Sequence, residues 1–249
     1  MPIPVQAALW GLLGGSALLL GAAVAWFVRV PPRVIAGVMA FGSGVLVSAL
    51  AFELMDEAYA RGGFVPAALG FLGGAAAYTV ANVVVSRGGG AHRKRSGEQQ
   101  QRAAEGSGLA IAVGALLDGI PEAVAIGATL LEGAGVSLVT VAAVFLSNVP
   151  EGLSSAAGMR RAGRGAGFVF GVWTGIALAS GAAALLGNVA LAGAAPGAVA
   201  AANAVAAGAI LAMLADTMIP EAFDEAREYT GVITAAGFLV AFVLSRTGG

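Results

Sequence analysis

The chain has no cysteine and a single histidine, His92, among 249 residues. Disulfides, iron–sulfur clusters and thiolate zinc sites are thereby excluded. Charge is also scarce: Asp, Glu, Lys and Arg make up 11% of the chain, against about a quarter in a soluble domain. The net charge of −1 offers no reason to expect a nucleic-acid partner. No basic stretch precedes the first apolar run, so Met1–Trp10 reads as the start of a spanning helix rather than a cleaved signal peptide. What the chain has instead is apolar surface, with 58% hydrophobic residues and a mean hydropathy of +0.87. These are the marks of an integral membrane protein.

A membrane span needs about 20 mostly apolar residues. Eight segments meet that length: Val5–Val28, Val34–Met55, Phe64–Ser86, Leu109–Leu131, Val136–Met159, Gly165–Leu186, Ala198–Ile219 and Gly231–Ser245. The expected fold is all-α, one membrane domain over residues 1–249. Spans one to three cover 5–86, a polar linker covers 87–108, and spans four to eight cover 109–246. Turn and charge signals separate them, among them Pro31–Pro32, Arg61–Gly63, Glu132–Gly135 and Gly193–Gly197. The linker contains HRKRSGEQQQR and reads as a flexible hydrophilic tether. All Lys and Arg except Arg61 and Arg246 fall in loops after the first, third, fifth and seventh spans. Basic loops stay cytoplasmic, so both termini are expected outside.

Glycine is abundant, at 39 residues. GxxxG steps occur at Gly11/Gly15, Gly70/Gly74 and Gly167/Gly171/Gly175. They suit either tight packing inside one bundle or the face of a homodimer. Gly44–Ala58 (GVLVSALAFELMDEA) also echoes Gly208–Ala222 (GAILAMLADTMIPEA), in spans expected to cross in opposite directions. Inverted repeats with a site between them are a common transporter plan.

The residues that carry chemistry lie in the fourth and fifth spans. D-G-I-P-E at Asp118–Glu122 recurs loosely as S-N-V-P-E at Ser147–Glu151. Each motif sets a polar residue four positions before a Glu, on one helix face. Pro121 and Pro150 remove a backbone donor and free the carbonyls of Leu117 and Leu146. Such broken turns are tolerated at membrane depth where they are buried or line a cavity. Ionisable groups at that depth mark ion or proton pathways by default. Asp118, Glu122, Ser147, Asn148 and Glu151 could together make an all-oxygen cation cage. Taken singly, Ser147 could merely back-bond to its own helix, Asn148 could be an interhelical hydrogen-bond partner, and Glu122 and Glu151 could share a proton and serve only in packing. Glu53 and Asp216, one turn inside the ends of their spans, are further pathway candidates. His92 reads as an ordinary linker residue.

These paired P-E motifs resemble the signatures of the ZIP (zinc/iron-regulated-transporter-like) family of divalent-metal transporters. There the fourth span typically reads H-N-x-P-E-G and the fifth H- or Q-(E/N/D)-x-P-E-G. GIPEAVAIG at Gly119–Gly127 and NVPEGL at Asn148–Leu153 are the nearest matches. The resemblance implies a 3+2+3 bundle of eight spans in the plasma membrane, with zinc, manganese or iron carried into the cytoplasm. It makes Glu122 and Glu151 bridging ligands and Asn148 a ligand of a second metal position. This chain departs by having Asp118 and Ser147 where the family has nitrogen or amide ligands, Gly119 for Asn, and no acid in its sixth span. Carboxylate and carbonyl oxygens lean toward Mn²⁺, whereas imidazole suits zinc and iron. The expected partners are lipid and divalent cations, with no resident cofactor. Enzyme activity is not expected. Asp118 and Asp216 lack the Y-D and G-x-G-D settings of intramembrane aspartyl proteases, and no span holds a His. The alternative is a non-transporting ZIP-like paralogue that senses metal or assembles with another protein.

Overall fold

The computed structural model describes residues 1–97, 99–100, 102–105, 108–131 and 135–247. Its helices are α1 (Ile3–Phe27), α2 (Pro32–Ala49), α3 (Asp56–Gly62), α4 (Phe64–Val85), α5 (Leu109–Thr129), α6 (Leu138–Arg161), α7 (Ala166–Leu191), α8 (Pro196–Met213), α9 (Ile219–Ala226) and α10 (Thr230–Thr247). Several begin where a missing N–H is harmless. Pro32 and Pro196 stand in the first turns of α2 and α8, where the backbone donor has no helical partner. The Ser137 side chain caps α6 by accepting the Thr140 N–H. Gly63, at φ 73°, ends α3 and opens α4, a left-handed turn that favours glycine. The turn expected at Glu132–Gly135 lies outside the described residues except for Gly135.

Among the described residues, seven continuous helical runs are long and apolar enough to cross a membrane. The chain is a multi-pass membrane protein. The last run, Pro196–Thr247, holds 52 residues, about 78 Å if it were straight at 1.5 Å per residue. It does not run straight through: Arg227 breaks it with φ 45°. The expected seventh and eighth spans fall on either side of that break. Packing gives their directions. Gly70 and Gly74 meet Ala201 and Val205, so α8 runs alongside α4 in the same sense. Phe41 meets Gly237 and Phe52 meets Phe242, so α10 follows α2 in the same sense. The α2–α3 rod opposes α8, with Gly62 against Ala200 and Ala58 clustered with Ala204.

Small residues set these approaches. A Cβ added at Gly44 would lie 1.9 Å from the Thr234 carbonyl, and one at Gly237 would lie 2.1 Å from that of Phe41. Gly11, Gly15, Gly70 and Gly74 likewise face neighbouring helices, which settles their steps as packing within the bundle. Gly167, Gly171 and Gly175 differ: an added Cβ would meet no heavy atom within 4 Å at any of them.

The internal echo has a structural counterpart. A wide π turn joins α2 to α3 at Leu50–Met55, and another joins α8 to α9 at Leu214–Met218. Aligned on Gly44 and Gly208, Leu50 falls on Leu214, so both helices widen at the same place. The matched helices run in opposite directions, as an inverted repeat requires.

Gly44→Val is expected to lower the unfolding midpoint in detergent, corresponding to about 1–3 kcal/mol of overpacking. Gly171→Ala should leave the midpoint unchanged or slightly higher, since its methyl meets open space and glycine weakens a helix interior. Thermal melts of the two purified variants check both.

Candidate ion site between two proline-broken helices

Pro121 and Pro150 both sit inside their helices, and each motif turns its polar face inward. Asp118, Glu122, Ser147, Asn148 and Glu151 are all buried. Ile120 and Leu146, on the other faces, are exposed. α6 runs with α1 (Leu18 against Gly152, Trp26 against Arg160), whereas α7 runs with α5 and against α1. The two motifs therefore meet from antiparallel helices. Asp118, Glu122 and Glu151 are close enough to interact electrostatically.

Two cations from the expected linker lie among these acids. Arg93 grips Asp118 with two nitrogens, Nε to Oδ2 at 2.8 Å and Nη2 to Oδ1 at 2.8 Å. This is the fork geometry in which guanidinium and carboxylate bind best. The Tyr78 hydroxyl of α4 donates to Asp118 Oδ1 at 2.5 Å and accepts from Arg93 Nη2 at 3.0 Å. Lys94 Nζ stands 2.9 Å from Glu151 Oε2 and 3.4 Å from Asp118 Oδ2. Its contacts are ionic, without the alignment of a hydrogen bond. Burial opposes the charge on Arg93, but Asp118 outweighs it and holds the guanidinium above its ordinary pKa. Arg93 therefore stays charged at any physiological pH.

The other expected ligands are arranged less uniformly. Both oxygens of Glu122 are buried and have no hydrogen-bond partner of ordinary geometry. Asn148 Nδ2 donates to the Gly14 carbonyl of α1 at 3.0 Å. The Ser147 hydroxyl donates to the Val144 carbonyl of its own helix at 2.9 Å. Glu53 is half-buried, accepting from Ser137 and Ser245 at 3.0 and 2.6 Å. Asp216 is exposed and accepts from Asn82 at 3.2 Å. Neither of these two has an ion pair or hydrogen bond with the central carboxylates. Among the described residues, no three Asp, Glu, His or Cys side chains stand together as a metal-holding group. Lys94 stands between Asp118 and Glu151.

Part of the linker is drawn into the bundle rather than solvated as its composition suggests, while Arg102–Glu105 are exposed. Arg93, Lys94, Ser96 and Gln100 are buried, because the carboxylates of α5 and α6 are the strongest partners available to its cations. The backbone follows the side chains inward. The Ser155 hydroxyl donates to the Arg93 carbonyl at 2.5 Å, and that of Ser154 lies 2.6 Å from the Lys94 carbonyl and 2.8 Å from Glu221 Oε1. Gln100 Nε2 reaches the carbonyls of Arg93, Arg95 and Ser155. The Ser96 N–H donates to Glu221 at 2.7 Å, and Arg95 pairs with Glu221 and Asp224 of α9. His92 remains exposed, as expected, its ring nitrogen 3.1 Å from the Gln99 carbonyl.

Sequence reasoning missed Tyr78, Arg93 and Lys94. A signal existed for the cations: three acids buried in spans that contain no base must draw their counter-charge from a loop. A scan against protein-family models finds no match, and a search of curated proteins finds none.

Arg93→Gln is expected to cost about 3–5 kcal/mol of stability by leaving a buried carboxylate uncompensated. Arg93→Met combined with Asp118→Leu should be more stable than the sum of the single changes implies. A double-mutant cycle from unfolding in detergent checks this, and strict additivity would contradict the pairing.

Proposed function

We propose that this protein carries a divalent cation across the membrane into the cytoplasm through the carboxylate site of α5 and α6. The observation that carries the reading is Glu122. Its two buried oxygens have no hydrogen-bond partner of ordinary geometry, beside two further carboxylates and within a proline-broken turn of a membrane helix. A buried carboxylate in that state is costly unless it takes up a proton or a cation binds it, and an acid at membrane depth marks an ion or proton pathway. Glu122 and Glu151 are the principal ligands, with Asp118, Asn148 and Ser147 completing an oxygen set. That set suits Mn²⁺ by ligand chemistry, while zinc and iron follow from the resemblance to ZIP transporters. Glu53 and Asp216 serve the two approaches to the site.

The same reading makes the chain an eight-span protein of the plasma membrane, in a 3+2+3 arrangement with both termini outside. The reversal at Arg227, the shared sense of α2 and α10 and the segregation of the basic residues support it. The natural chain has no cysteine, so Pro2→Cys and Thr247→Cys each supply a single thiol. Both should react with a membrane-impermeant maleimide in intact cells, and protection of either would refute the topology.

Flux into liposomes with a panel of divalent cations tests transport itself. Glu122→Gln and Glu151→Gln should each reduce uptake by about tenfold or more, the effect of losing an interaction of some 1.4 kcal/mol. A wild-type protein that moves none of the ions would instead favour a non-transporting paralogue that senses metal or assembles with a partner. The observation favouring that second reading is the presence of Arg93 and Lys94 among the acids.

A further inference from the structure

Three carboxylates and two cations share one buried cluster, and the two cations come from a single short segment. Lys94 contacts an acid on each of the two motif helices, Asp118 of α5 and Glu151 of α6. That is the position an ion bridging the helices would take. A divalent cation there would meet the ammonium at contact range, where like charges repel strongly in a water-poor interior. The two cannot share the site. Arg93 occupies Asp118 in the same way, with both carboxylate oxygens engaged.

The segment is held by contacts that can be exchanged. Ser154, Ser155 and Glu221 bind its backbone and the Gln100 amide through hydrogen bonds, each of which water could replace. It is also hung on a hinge. Gly88, Gly89 and Gly90 lead into it, and Gly89 has φ 99°, a conformation nearly restricted to glycine. Gly88 and Gly89 carry no side chain to restrict rotation there, so the residues after them can swing once Gly90 leaves its seat against Ala110 of α5.

We infer that Gly90–Gly97 is a tethered competitor of the transported ion. Lys94 and Arg93 neutralise Asp118 and Glu151 when no divalent cation is bound, and they withdraw about the glycine hinge when one binds. The segment thereby covers the site from the linker side and releases it only in exchange for cargo. This inference rests on the carboxylate cluster being the cation site proposed above.

The test uses the full chain, purified, with Mn²⁺ as the probe. Calorimetry compares the wild type with Lys94→Gln, which removes the competing charge and leaves a neutral polar side chain one atom shorter. Lys94→Gln should bind Mn²⁺ about tenfold tighter or better, because the ion then relieves two carboxylates otherwise left unpaired. Equal or weaker affinity, or no binding by either protein, would overturn the inference. If Lys94→Gln does not fold, Ser96→Cys decides, since it leaves every charge of the cluster in place. Its thiol is buried in the seated segment and should react with a maleimide several-fold faster in saturating Mn²⁺. A labelling rate indifferent to Mn²⁺ in a protein that transports it would overturn the competition and leave the transport reading standing. Tighter binding by Lys94→Gln in a protein with no wild-type flux would do the reverse.

Discussion

The structure depends on neutralising three acids buried between helices. Asp118, Glu122 and Glu151 are nearly inaccessible to water, and isolated carboxylates in such surroundings are among the costliest groups a fold can hold. Much else in the structure follows from that constraint. Arg93 and Lys94 enter the bundle to meet the acids, their backbone is drawn in behind them, and α6 and α9 present hydroxyls and a carboxylate to receive it. Tyr78 donates a further hydrogen bond to Asp118 Oδ1. The order of the linker is a consequence of the charge in the helices.

The helical frame that holds these acids is made mainly by small residues. Backbones of α2 and α10, and of α4 and α8, pass so closely that a single methyl at Gly44 or Gly208 would overlap a carbonyl of the neighbour. Close approach of this kind replaces the hydrophobic drive that lipid cannot supply between helices. It also explains why the site can be polar. The rods are positioned by backbone packing at their glycine seams, so the faces of α5 and α6 are free to carry carboxylates and proline-broken turns. The matched π turns at Leu50–Met55 and Leu214–Met218 interrupt the two rods of the inverted pair at the same place.

Much of this was legible in the sequence. Apolar length marked out the helices to within a few residues, and the one ambiguous stretch was the last, where Arg227 turns the chain without a proline or glycine to announce it. The spacing of Asp118 to Glu122 and of Ser147 to Glu151 correctly put polar groups on buried faces. It could not say where each group would point. Ser147 turns back on its own helix and Asn148 reaches across to α1, choices made by the nearest free carbonyl. HRKRSGEQQQR read as a solvated tether because its composition is that of one. Composition carries no information about a partner that lies elsewhere in the chain.

The sequence by itself determined that this is a helical membrane protein, with carboxylates placed beside prolines where lipid would reject them. Those properties follow from local rules, namely hydropathy over about 20 residues and the helical repeat. Only the tertiary structure decided which cations answer those carboxylates. That pairing joins Arg93 and Lys94 to Asp118 and Glu151 across long stretches of chain. It is set by which charges the packing of α4, α5, α6 and α9 brings within reach, and no local pattern encodes it.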